Sequence, residues 1–278
     1  MSIPFERVLG EGAVHSIGFG EKKKAALGAG VAWLEQAGKW APMPKPPGDT
    51  SGSRIFFGRD DQPRVMGAAG DAFVYLRFKN GAWKVGEEEI AGLAVAPKSP
   101  LYGVLGHADP EVVCKMGAGC IIKRRSGWKL YDPPAMTAIP EVELCGAQPW
   151  AFEGKQVWKV ADTGFQPHAP TPTFTKADGL WAVADNDIWV VERSPAGVHH
   201  FDGSKWTSAR APIDGPRAIW ASGPNDVWIA GDGGAARFDG KAWSAISDVP
   251  KKLVTVNGVS ASEIWLGGED GLYRHRAK

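Results

Sequence analysis

Two stretches of this chain repeat each other closely. Asp226-Val227-Trp228 is followed by Phe238-Asp239-Gly240 and Trp243, and upstream Asp187-Ile188-Trp189 is followed by Phe201-Asp202-Gly203 and Trp206. Such a unit reads as a set of short strands. Phe and Trp stand as inward residues of a third and a fourth strand, and Asp-Gly between them supplies the positive φ of a two-residue hairpin. The same device recurs as Phe152-Glu153-Gly154 before Trp158, and more loosely before Trp83, Trp128 and Trp40.

A repeat of this length, rich in strands and ending in Trp, is the signature of a β-propeller blade. The second-strand signal lies upstream of each closing Trp, by 15 residues from Trp228 to Trp243 and from Val113 to Trp128, and by 17 from Trp189 to Trp206 and from Met66 to Trp83. Composition agrees: 36 Gly and 21 Pro punctuate many turns, and 13 Trp fill a β core. The 278 residues fit one all-β domain spanning 1–278.

The final segment, Glu263-Ile264-Trp265 with Gly267-Gly268, ends before any fourth strand. An open sheet edge would follow unless another strand closes it. Residues 3–9 have no blade of their own, and their Phe5 is expected in the missing Trp position. Six complete blades and one shared by both termini predict a seven-bladed ring of four-stranded antiparallel blades. Between Trp83 and Trp128 the first strand is either 90–95 or 102–106. The segment ending at Trp158 is compressed, and if it is not a blade the ring has six.

The residues 226–231 and 238–243 resemble repeats of bacterial seven-bladed propellers of the broad WD40-like and Kelch-like class. The resemblance is strong over 171–278 and degenerate over 1–160. The chain lacks the Gly-His and Trp-Asp dipeptides of true WD40 blades and the Ser-x-Asp-x-Gly-x-Thr-Trp box of sialidase-type propellers. The resemblance therefore implies a fold and only loosely a role.

Net charge is +1, from 32 Lys and Arg against 31 Asp and Glu, so no global field favours nucleic acid or membrane. No run reaches the length of a membrane span, and residues 1–12 lack the apolar core of a secretory signal. Three cysteines fit a reducing compartment, and cytoplasmic localisation is expected. Cys114 and Cys120 lack the spacing of a zinc clamp, so no metal and no cofactor is expected. Small buried thiols, or failing that a cross-strand disulfide, account for them.

Several residues look chemical in isolation. His199 and His200 are successive strand residues facing opposite sides, which prevents them from chelating one ion. Asp187 and Asp226 precede second strands in Asn-Asp turns and are repeated, whereas an active site needs its acid once; they read as turn-fixing residues worth on the order of 1 kcal/mol each. Trp181 and Trp220 each lie eight residues before a second-strand Trp, hence near the ring axis. Packing explains them first, and a stacking platform for a ligand second. Lys22-Lys23-Lys24 and Lys123-Arg124-Arg125 read chiefly as solvated turns.

Function is expected in the links between blades. Those at 41–53, 86–100 and 162–176 are long and Pro-rich, whereas 208–216 shows how few residues a ring needs. Long loops on a rigid scaffold are where binding sites concentrate. The expected role is a non-catalytic scaffold for a protein partner, docking near Phe165, His168 and Phe174. The alternatives are a carbohydrate-binding propeller, motivated by the abundant Trp, and a lyase or hydrolase using the central channel. Nucleic acid is disfavoured as a partner.

Overall fold

The computed structural model describes residues 3–10, 12–50, 52–58, 60–69, 72–85, 101–104, 111–115, 119–124, 127–131, 141–145, 148–161, 164–168 and 174–277. After β1 (Glu6–Leu9), strands come in antiparallel groups of four. They are β2 (Ser16–Phe19), β3 (Lys23–Gly28), β4 (Val31–Gln36) and β5 (Lys39–Pro42); then β6 (Gly52–Phe57), β7 (Pro63–Ala69), β8 (Ala72–Lys79) and β9 (Ala82–Val85). Next are β10 (Leu101–Val104), β11 (Glu111–Lys115), β12 (Gly119–Arg124) and β13 (Gly127–Tyr131), followed by β14 (Glu141–Cys145), β15 (Gln148–Glu153), β16 (Gln156–Ala161) and β17 (Gly164–Pro167). The last complete groups are β18 (Gly179–Ala184), β19 (Asp187–Glu192), β20 (Gly197–Phe201) and β21 (Trp206–Arg210), and β22 (Pro216–Gly223), β23 (Asp226–Gly231), β24 (Gly234–Phe238) and β25 (Trp243–Ala245). The chain ends on β26 (Leu253–Ser260), β27 (Glu263–Gly268) and β28 (Gly271–Arg276), a three-strand meander whose outer edge is covered by β1.

Two compact units contain these sheets. One holds residues 1–15, 154–157 and 168–278, the other 16–153 and 158–167. In the second, Leu27, Ile55, Phe57, Val65 and Leu76 form a buried core from β2–β5 and β6–β9. In the first, second-strand Trp189 and Trp228 sit in successive cores, each filled from two neighbouring sheets. Second strands such as β23 and β27 are buried nearly throughout and read as apolar runs, because both faces of a central strand meet another sheet.

The terminal sheet follows the expected arrangement. Glu6 pairs with Arg274 and Arg7 with Tyr273, and the Arg274 guanidinium is ion-paired to Glu6. Phe5 meets Trp228 edge-on with centroids 6.1 Å apart and planes at 75°. Trp243 meets Trp189 in the same way, at 6.0 Å and 78°. Phe5 thus fills the place of a closing Trp.

Three sequence readings are corrected. The loop after Phe201 has four residues, since Phe201 pairs directly with Trp206, and so does Phe238 with Trp243. Asp202 caps that loop by accepting the backbone N–H groups of Ser204 and Lys205, while Gly203 takes a φ of +92°. Asn80-Gly81, by contrast, is a two-residue turn with both φ angles positive. Trp158 lies on β16, a third strand, where it pairs with Pro167. Phe152-Glu153-Gly154 leads into the turn between second and third strands; the turn chemistry is that of a hairpin, but it does not say which hairpin of the four-stranded group. The fourth strand is consequently β17, which includes Phe165, and the link that follows runs from 168 to 178. Of the two candidate first strands before Trp128, β10 overlaps 102–106, and 90–95 lies outside the described residues.

Phe5→Ala is expected to destabilise the protein by about 2 kcal/mol through lost aromatic packing, lowering the melting temperature by roughly 5 °C. Deleting residues 1–10 also uncovers the β28 edge and lowers it further. An unchanged melting curve for the deletion would refute the terminal strand's role.

Candidate functional site

Register places a repeated polar layer beside the second-strand Trp residues. Trp189, Trp228 and Trp265 are opposed across the strand pair by His200, Arg237 and Arg274. His200 stacks flat on Trp189 with centroids 3.8 Å apart, and its Nε2 lies 2.8 Å from the Asp187 carboxylate. Arg237 lies over Trp228 at 5.2 Å and donates to Asp226 at 2.7 Å, and Arg274 lies over Trp265 at 5.4 Å. Asp226 also accepts the Trp228 indole N–H at 3.0 Å and the Ser222 hydroxyl at 2.5 Å. The repeated acids are structural, as read from the sequence, but their work is broader: each holds a side chain of the opposing strand against an indole, and Asp226 also takes the Ser222 hydroxyl across its own turn.

The residues proposed for binding fall in three places. Trp220 is buried and Trp181 half-buried, with ring centroids 6.1 Å apart, so the pair joins neighbouring sheets. Phe165 is half-buried on β17, paired with Val160, in the other unit from His168 and Phe174. His168 and Phe174 converge: both meet the Trp206 ring, His168 at 6.0 Å and Phe174 at 5.6 Å, each edge-on. His168 also packs edge-on against Phe201 at 4.6 Å. The link between β17 and β18 is therefore pinned to one indole at its first residue and again at Phe174. The residues between them, 169–173, lie outside those described.

A buried carboxylate extends this anchorage. Glu192, 3% exposed, accepts the backbone N–H groups of Thr175 and Lys176 at 3.1 Å each, and the Thr175 hydroxyl. Its other oxygen lies 3.3 Å from His199 Nε2, and His199 Nδ1 lies 2.9 Å from Ser208 Oγ. Phe174 covers the imidazole at 5.1 Å. Burial pushes His199 below the usual imidazole range despite the opposing pull of Glu192, and burial does the same to His168. Sequence reasoning missed Glu192. The available signal was its position: it ends the run Ile188-Trp189-Val190-Val191, where the neighbouring repeats end on Gly231 and Gly268.

The basic clusters do not form one patch from their whole length. Lys24 turns toward the buried Glu35 and pairs with it at 3.3 Å, which leaves Lys22 at the β2–β3 turn. Lys123 and Arg124 end β12, and Arg125 lies outside the described residues. Cys114 and Cys120 are directly opposed across β11 and β12, and Cys145 is buried on β14.

Asp226→Ala strands the Arg237 guanidinium and the Trp228 N–H, so the expected loss is about 2–4 kcal/mol, larger than a turn bond; urea denaturation measures it. Two pH effects follow. His168 and His199 have native values below the ordinary 6.5, so stability is full above that value and declines as pH falls below it, when the unfolded chain takes up protons the native state refuses. Asp202, held to about 2 by N–H bonds from Lys205 and Ser204, contributes above its ordinary 3.8 and loses that contribution as pH falls toward 2. Side-chain NMR titration should place its midpoint there.

No family model matches the chain, and no curated protein matches it. Among solved structures, the fold is similar to a streptogramin B lyase (TM-score 0.74, 13% identity, 98% of this chain and 97% of that one). It is also similar to YCF48 bound to a D1 peptide (TM-score 0.72, 17% identity, 99% and 97% covered) and to the WD40 β-propeller domain of Doa1 (TM-score 0.68, 9% identity, 99% and 97% covered). At these identities the likeness speaks for fold alone, and the fold is of the β-propeller class.

Proposed function

We propose that the chain is a binding scaffold for another protein, which docks where the link between β17 and β18 leaves the sheets. The observation that carries this reading is the double anchorage of that link, with His168 and Phe174 on one Trp206 ring and Glu192 fixing the next two residues. A segment with pinned ends and two prolines, Pro170 and Pro172, has less freedom to lose on contact. The peptide carried by YCF48 supports a protein ligand for a fold of this kind. In this reading the scaffold is one domain, a seven-bladed ring in which β1 closes the last blade.

Carbohydrate binding is less well supported. Its motive is the abundance of Trp, which needs exposed rings to stack on sugars, and Trp33, Trp150, Trp158, Trp189, Trp206, Trp220, Trp228 and Trp265 are all buried.

The test is a loop exchange in the full-length protein. Replacing residues 169–173 with Gly-Ser-Gly-Ser-Gly should abolish capture of the partner from native lysate, with a melting temperature within about 2 °C of the original. The exchange spares 164–167, which belong to β17. Charge reversal at Lys22, Lys23 and Arg125 should leave capture intact. The opposite pair of outcomes would place the docking surface on the basic turns and overturn the proposal.

A further inference from the structure

We infer that Ser208 is an activated nucleophile, the exposed end of a Ser208–His199–Glu192 relay able to accept an acyl group from a carboxylic ester. The inference does not rest on partner binding.

Register brings the groups together. His199 and Ser208 are directly opposed on β20 and β21. The flanking backbone bonds, from Asp202 N–H to the Lys205 carbonyl and from Ala211 N–H to the Ala196 carbonyl, set the alternation so that 199 and 208 form a non-hydrogen-bonded pair. That is the class in which opposed Cα atoms approach to about 4.5 Å and side chains stand closest. Gly197 leaves room for the imidazole, since a Cβ there would lie 2.8 Å from Nε2.

The order of burial matches the order of a nucleophile, its base and the group that orients the base. Ser208 is exposed, His199 is 5% exposed and Glu192 3%. Glu192 spends Oε1 on Thr175 and Lys176 as an acceptor, and its Oε2 faces His199 Nε2. A carboxylate there places the ring proton on Nε2, which leaves Nδ1 to accept the Ser208 hydroxyl at 2.9 Å. Burial keeps the imidazole neutral and so able to take a proton, while Glu192 favours the proton it would take. The 3.3 Å approach of Glu192 is an ion-pair contact and not an aligned hydrogen bond in the resting state, and it can tighten when the ring is charged.

Glu192 and the His199 ring, which Phe174 covers, both meet the link, but the contact from His199 to Ser208 does not, and the neighbouring sheet does without all three. By register, Glu192, His199 and Ser208 correspond to Gly231, Ala236 and Ala245. Structural residues recur in these repeats, whereas this relay occurs in one sheet of the pair.

In the reaction, Ser208 Oγ bonds to the ester carbonyl carbon as its proton passes to His199 Nδ1. Collapse of the tetrahedral adduct breaks the bond to the alcohol oxygen, which departs with that proton. Water, deprotonated by the same nitrogen, then cleaves the acyl-serine, releasing the acid and restoring the hydroxyl.

The test is covalent labelling of the full chain with an alkyl fluorophosphonate, which reports the nucleophile whatever the natural ester. One adduct is expected, formed with loss of fluoride, and fragmentation of the peptide spanning 206–210 should place it on Ser208 and not on Thr207. The labelling rate should rise with pH and level off with a midpoint below 6.5. Ser208→Ala should remove the adduct, and His199→Gln should slow labelling by about 100-fold or more. Absence of an adduct on Ser208, under conditions that fully label a control serine hydrolase, would overturn the inference. So would unchanged labelling of a folded H199Q variant. If that variant fails to fold, the wild-type adduct position and pH profile decide.

Discussion

An aromatic side chain set edge-on against the indole of the preceding sheet is the contact on which the repeats of the C-terminal unit depend. Trp243 makes it to Trp189, and Phe5 makes it to Trp228, at nearly the same distance and angle. A four-stranded sheet has two apolar faces, and neither can stay in water without cost. Two sheets of this unit therefore cover their predecessors with an aromatic at or beside the outermost strand. In the sheet of β26–β28, Phe5, just before β1, supplies that aromatic. The N-terminal segment is part of the core for that reason.

Above the indoles lies a polar layer with a division of labour. Asp187 with His200, and Asp226 with Arg237, clamp a cationic or aromatic group against the Trp face. Attraction between a guanidinium and an indole face contributes about 0.5–2 kcal/mol, depending on desolvation, and the carboxylate keeps the cation in register. Inter-sheet ion pairs add to this. Asp232, in the β23–β24 turn, receives Arg193 from the preceding sheet and Arg217 from its own. These arrangements recur or bridge repeats, which marks them as architecture. The cluster of Glu192, His199 and Ser208 does neither. It sits where the sister sheet has two alanines and a glycine, next to the link that His168 and Phe174 pin to Trp206.

Much of the architecture was legible because the repeat carries its own ruler. Closing residues at Trp40, Trp83, Trp128, Trp206 and Trp243 all lie on fourth strands, since hairpin chemistry and inward aromatics recur at fixed offsets. The same ruler slipped at Trp158. An aromatic after a Gly turn marks a hairpin edge, but all three hairpins of a sheet use that chemistry, and only hydrogen-bonded pairing says which one is present. That slip moved Phe165 from a link, where it would have been available for contact, onto β17.

The site was less legible for a related reason. Residue types and spacing determined that the chain would form short antiparallel strands, that Trp would be buried between them, and that residues 3–9 would complete the final sheet, because each of these follows from local patterning and from the cost of an open edge. Only the tertiary structure decided that His168 and Phe174 share one indole, that Asp226 serves Arg237 as well as its own turn, and that Glu192, His199 and Ser208 form a line. Those partners come from different strands and loops, and their meeting depends on register and burial across the sheet. Sequence spacing specifies neighbours along a strand, whereas the chemistry here is set by neighbours across it.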